Sequence, residues 1–88
     1  MEVVFLRSFI QDFKGIQEIA VRRKVERAVK QRQEARTLRD VRHLKKLEGS
    51  TNAYRVRLGD HRVGFFLADS TIELARIGDR KSIYKMFP

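Results

Sequence analysis

Two periodicities divide the chain. Tyr54-Arg55-Val56-Arg57-Leu58 alternates apolar and charged side chains with period two, as a strand with one buried and one open face requires. Gly59-Asp60 reads as a turn, and His61 to Leu67 resumes the alternation with Val63, Phe65 and Leu67 inward. Asp69-Ser70 marks a second reversal before a last strand from Thr71 to Ile77, ended by Gly78-Asp79. The other periodicity lies earlier: Val21, Val25, Ala28 and Val29 share one face of a helix that runs to about Ala35 or Arg36. Arg22, Arg23, Lys24, Arg27 and Lys30 point elsewhere.

The remaining segments follow from weaker signals. Glu2 to Arg7 is β-branched and aromatic and stops at Ser8, which suits a strand leading into a helix N-cap. Ile10, Phe13 and Ile16 or Gln17 give a short helix whose end Gly15 weakens. Between Thr37 and Asn52, Val41, Leu44 and Leu47 keep a helical spacing until Glu48-Gly49-Ser50-Thr51-Asn52 breaks it, so a turn of helix and then a loop are expected. Ser82 to Phe87 is a short terminal helix. The order is βααβββα: an α+β fold, a single domain over residues 1–88, with two helices on one face of an antiparallel-dominated twisted sheet and a short C-terminal helix.

Composition narrows the biology. The 88 residues give a thin core, burying roughly two-thirds of the unfolded surface. Without cysteine neither disulfides nor a thiolate zinc site can reinforce it, so a partner is the expected support. No apolar stretch is long enough for a span and no signal-peptide succession opens the chain, so a cytoplasmic protein without membrane contact is expected. The formal charge is +9, and Val21 to Lys46 holds eleven basic residues against three acidic ones. Basic residues on one helix are commonly just its solvated face, but at that density contact with a polyanion is the better reading.

Pleating turns this charge into a candidate site. If Tyr54, Val56, Leu58, Val63, Phe65 and Leu67 face the core, then Arg55, Arg57, Arg62, Gly64 and Phe66 face the other way. Like charges crowded on one face are unfavourable without an anion between them, and a phosphate would supply it. Any one of these arginines alone would be an ordinary solvated strand residue; their clustering reverses that.

Four motifs in order now bring in a resemblance: Leu47-Glu48-Gly49, then Tyr54-Arg55-Val56-Arg57, then Gly59-Asp60-His61-Arg62, then Gly78-Asp79-Arg80 with Tyr84. Over nearly its whole length the chain resembles the RelE/ParE superfamily of bacterial toxins, on the RelE side. The resemblance implies the toxin of a toxin–antitoxin pair that cuts messenger RNA in the ribosomal decoding site without a metal or other cofactor; ParE-like members instead poison DNA gyrase. It implies a cleavage site of Arg55, Arg57, Arg62, Arg80 and Tyr84, a set that ParE-like members usually lack in part. Arg22, Arg23, Lys24, Arg27, Lys30, Lys45 and Lys46 are expected to hold ribosomal RNA or message. A cognate acidic antitoxin, folding on the toxin over the open sheet face or displacing the terminal helix, is the expected partner.

The chemistry can be argued separately. A 2′-hydroxyl attacking its own 3′-phosphate builds negative charge on phosphorus, which fixed guanidinium groups stabilise. Arg62 and Arg80 are read as phosphate clamps, Arg55 and Arg57 as neutralising the phosphate and leaving oxygen, and Tyr84 as orienting the nucleophile. Phenols and guanidiniums are poor bases at neutral pH, so ribosome-imposed in-line geometry is expected to carry part of the rate. Two positions depart from the family: Asp79 stands where many relatives have histidine, and His61 where many have an aromatic. His61 is a proton carrier, a base-stacking ring or, more commonly for a histidine beside a turn, a surface residue. Tyr84 has an alternative as a hydrophobic lid with Met86 and Phe87. The Phe66 ring, next to Arg62 and Arg57 on the open face, either stacks on a base or is covered by the C-terminal segment. Arg76, in strand phase with Ile72 and Leu74, either sits at a core edge paired with an acid or projects toward the site. His43 is assigned no chemistry.

Overall fold

The structure is a computed structural model that describes residues 1–37 and 44–88. Its elements are β1 (Glu2–Phe5), α1 (Arg7–Lys14), α2 (Ile19–Glu34), β2 (Leu44–Lys46), β3 (Ala53–Leu58), β4 (His61–Ala68), β5 (Thr71–Asp79) and α3 (Arg80–Met86). The five strands form one sheet in the order β1-β5-β4-β3-β2, parallel between β1 and β5 and antiparallel elsewhere. No helix among the described residues is long and apolar enough to cross a membrane.

Apolar clusters lie on both faces. Phe9 of α1 and Val25 of α2 pack against Val56, Val63, Phe65, Ile72, Leu74 and Ile77, so α1 and α2 cover one face as the α2 stripe requires. On the other face Ile83 and Phe87 pack on Ala53 and Ala75, with Phe66, Leu47 and Met86 at the margin. The alternation of β3 and β4 is as expected: Tyr54, Val56, Leu58, Val63, Phe65 and Leu67 belong to the α1/α2 side.

Three local expectations are corrected. The first strand ends at Phe5, and Arg7 already lies in α1, whose N-cap is Leu6 rather than Ser8. The Ser8 hydroxyl instead donates to the Ala75 carbonyl at 2.5 Å. The segment read as a turn of helix contains β2, with Leu44 opposite Val56 and Lys45 opposite Arg55; the Val41 end of that reading, and His43, lie outside the described residues. Leu44 and Leu47, three apart, would share a helix face but fall on opposite faces of an extended chain; here each face has an apolar cluster to receive one. Finally α3 starts at Arg80, directly from β5, with Asp79 as its N-cap.

β5 outruns β1, and α1 covers the exposed remainder. The Leu6 amide donates to the Leu74 carbonyl at 2.9 Å, and the Ile77 amide donates to Asp12 Oδ2 at 3.0 Å. Side chains of α1 thus take over where strand pairing stops, which removes an open sheet edge. A bulge opposite Gly64/Phe65 inserts Ala75 as an extra β5 residue. This shifts Arg76 out of phase with Ile72 and Leu74. Its guanidinium pairs with Asp12 at 2.7 and 3.1 Å, the core-edge ion pair of the two alternatives.

Candidate active site

The face opposite α1 and α2 is divided between α3 and a row of cations. α3 needs a flat seat, which two glycines provide. A Cβ at Gly64 would fall 2.5 Å from the Phe87 ring, and one at Gly78 2.7 Å from Met86 Cε. Phe66 meets Phe87 with ring centroids 5.1 Å apart, so it is covered by the C-terminal segment rather than open for a base. Because Ile83 and Phe87 take the buried positions, Tyr84 stands exposed on the helix surface. The hydrophobic lid is therefore formed by its neighbours.

Beside α3, Leu44, Lys45, Arg55, Arg57 and Arg62 line a groove of about 370 Å³. The register explains the convergence: Lys45 lies opposite Arg55 on β2/β3, and Arg57 opposite Arg62 on β3/β4. The Arg55 guanidinium sits 4.6 Å over the centre of the Tyr84 ring, a cation–π contact that joins the groove to α3. Arg62 bends toward its own turn and donates to the carbonyls of Gly59 at 2.7 Å and His61 at 2.9 Å. Arg80 opens α3, its amide bonded to the Asp60 carbonyl at 3.0 Å, and Tyr84 follows one helical turn later.

The phenol titrates in a positive field. Arg55, by hydrogen bonding and then by charge, holds the Tyr84 hydroxyl below the ordinary tyrosine value, and Lys45 and Arg80 add to the effect. Asp79 is lowered as well, chiefly because its carboxylate accepts the Ser82 amide, at 2.8 Å. Asp79 is thus an ionised helix cap. Register places His61 with Leu58, half-buried on the face opposite Arg57 and Arg62.

The basic helix separates from this groove. α2 packs on the other side of the sheet, where Arg23, Arg27 and Lys30, with Glu26, flank a depression of about 260 Å³. Lys24 reaches the β3–β4 turn, its Nζ 3.3 Å from the Cβ position of Gly59. Arg22 is committed to the fold: Nε donates to the Ile16 carbonyl at 2.6 Å and the guanidinium lies 5.3 Å over the Phe13 ring. Lys46 is exposed on β2 opposite Tyr54. The sequence reading missed Arg32, which is only 2% exposed. Its position four residues after Ala28 on the apolar stripe is the signal that would have shown it.

Comparison with known proteins agrees with this architecture. No protein-family model matches the chain. It is 34% identical to the toxin RelE3 of Methanocaldococcus jannaschii over 89 residues, spanning 100% of both chains. The toxin–antitoxin complex RelB–RelE from Methanococcus jannaschii superposes with a TM-score of 0.82 at 30% identity, over 97% of this chain and 99% of that one. The isolated Escherichia coli RelE toxin shares the fold, with a TM-score of 0.67 at 13% identity over 98% of each chain. The chain belongs to the RelE toxin family.

Proposed function

We propose that this toxin is a ribosome-dependent, metal-independent endoribonuclease that cleaves messenger RNA in the decoding site. The observation that carries the reading is the meeting of Lys45, Arg55, Arg57 and Arg62 around one groove, with Tyr84 held against Arg55 at its edge. A scissile phosphodiester in that groove would meet cations from three strands. The 2′-oxygen bonds to phosphorus, the 5′-oxygen leaves, and the message ends in a 2′,3′-cyclic phosphate and a 5′-hydroxyl. Arg57 and Arg62 hold the phosphate and Arg80 joins them from α3. Arg55 has two duties, neutralising the phosphate and making Tyr84 a stronger acid than a free phenol. Tyr84 is then placed to take the 2′ proton or to supply one to the leaving oxygen.

Lys45, opposite Arg55, extends the cationic surface along the message, and Lys46, on the α2 side with Tyr54, joins Arg23, Lys24, Arg27 and Lys30 as the side chains offered to ribosomal RNA. A cognate acidic antitoxin is the partner, as in the RelB–RelE complexes of the relatives. A ParE-like poison of gyrase is the alternative, supported by the resemblance to the wider superfamily and by Asp79 as a departure from the RelE-like pattern; the capping of α3 gives Asp79 a role in the fold instead. The test is single-turnover cleavage of message on programmed ribosomes. Arg57→Ala and Tyr84→Phe should each slow it by roughly 10²–10³-fold. If both variants cleave like the wild type, or if purified protein blocks gyrase supercoiling while message stays intact, the reading is wrong.

A further inference from the structure

The two ends of α3 are held by different physics. Its start is fixed by directional bonds: Asp79 accepts the Ser82 amide at 2.8 Å, and the Arg80 amide donates to the Asp60 carbonyl at 3.0 Å. Its far end rests on apolar contact, with the Phe87 ring over Gly64 and Ile83 packed on Ala53 and Ala75. Burial of that kind resists lifting but has no direction, so by itself it lets a seven-residue helix roll or slide on the glycine floor. Tyr84 lies between the two ends, and its place over Arg55 depends on how the helix is turned. A polar chain from α1 reaches the far end. Arg76 donates from Nε to Asp12 Oδ2 at 2.7 Å and from Nη2 to Asp12 Oδ1 at 3.1 Å, while Asp12 Oδ2 also accepts the Ile77 amide at 3.0 Å. A two-point grip fixes the plane of the guanidinium as well as its position. The same Nη2 donates to Met86 Sδ at 3.1 Å, and the Met86 methyl lies 2.7 Å from where a Cβ on Gly78 would be. Met86 is thus lodged between a bare stretch of strand and a fixed cation.

We propose that Asp12 and Arg76 are positioning residues for cleavage: through Met86 they set the roll of α3, and with it the placement of Tyr84 over Arg55. This rests on the nuclease reading above and adds to it two residues that do not line the arginine groove. The apolar seat of α3 tolerates several settings of the helix, whereas the stacking of one ring on one guanidinium tolerates few. A misplacement of about 1 Å can cost roughly a hundredfold in rate, so a contact to a weakly accepting sulfur, worth little to stability, is large in its effect on cleavage. An ion pair that only stabilised the fold would lower the melting temperature and leave the surroundings of Tyr84 as they are.

Two variants test it. Arg76→Lys keeps the charge but not the planar fork, and Met86→Leu keeps the volume but not the sulfur. Single-turnover cleavage of message is measured over a range of programmed-ribosome concentrations, beside the phenolate absorbance of Tyr84 in a Tyr54→Phe background. Each variant should lower the saturating rate by about tenfold and leave the half-saturating ribosome concentration within about twofold of the wild type. Each should also move the Tyr84 phenolate absorbance to higher pH. The double variant should be no slower than the slower single one, because both changes break the same connection. If either the saturating rate or the phenol titration is unchanged in both variants, the inference is overturned. It is equally overturned if the two rate losses multiply in the double variant. Should circular dichroism find Arg76→Lys unfolded, the rate and titration of Met86→Leu decide alone. A wild-type protein that leaves message intact while the variants shift the titration as expected would refute the nuclease reading and not the placement of Tyr84.

Discussion

Replacing Arg32 by methionine should make the protein more stable. The side chain is 2% exposed, and burial pulls its guanidinium down from the ordinary arginine value to about 10. At neutral pH it is still charged, so the fold carries an ion that water would solvate better. That drop corresponds to about 3 kcal/mol against the folded state. One bond opposes the change: Nη1 donates to the Ala28 carbonyl at 2.5 Å, and losing it gives back about 1–2 kcal/mol. Ala28 keeps its helical bond, so nothing buried is newly orphaned, and methionine preserves the unbranched stem. Exchange of a buried charge for an apolar isostere is known to be neutral or stabilising. A net gain of about 1–2 kcal/mol should raise Tm by roughly 5–15 °C at this chain length. The pH dependence carries the sign. Between the folded and unfolded pKa values the unfolded chain binds the extra proton, so wild-type stability rises with pH there and the variant's advantage shrinks above about pH 10. Denaturant titrations of both proteins at pH 7 and pH 10.5 provide the check. A variant destabilised by about 2 kcal/mol at pH 7 would show that Arg32 has a stabilising partner and refute the reasoning.

Gly64→Ala places a methyl 2.5 Å from the Phe87 ring and should lift α3 from the sheet, lowering stability by about 1–3 kcal/mol in urea melts and abolishing cleavage. Asp12→Ala strips the partner from both Arg76 and the Ile77 amide, and should lower the same melts by about 2 kcal/mol. Arg55→Ala removes the first cause of the lowered Tyr84 phenol, so its phenolate absorbance in a Tyr54→Phe background should appear at higher pH than in the same background with Arg55 intact; an unchanged curve would disprove the coupling.

What the sequence could disclose depended on the range of the interaction. The alternation of β3 and β4 and the apolar stripe of α2 are local patterns imposed by one buried face, and they were readable with their cationic side chains. The groove could be anticipated because pleating alone brings Arg55 and Arg57 to one face and a tight turn adds Arg62. Features that depend on distant contacts were not. β2 gains its strand from pairing with β3, and its three-residue leucine spacing suits a helix equally well. The phase change at Ala75 is a bulge, and the replacement of missing strand pairing by Ser8 and Asp12 needs α1 to lie beside β5. Arg22 and Arg32 read as surface charge until the chain folds, when one closes the α1–α2 connection and the other enters the core.

A nuclease working through the phosphate groove differs from any binding protein on this scaffold in one chemical respect, the fate of the 2′-oxygen. Mass spectrometry of message fragments from toxin-treated programmed ribosomes should find 2′,3′-cyclic phosphate on the upstream piece and a 5′-hydroxyl on the downstream one, and neither with Tyr84→Phe at the same early time. Fragments bearing a 5′-phosphate and a free 3′-hydroxyl, or cyclic ends undiminished in the variant, would contradict it.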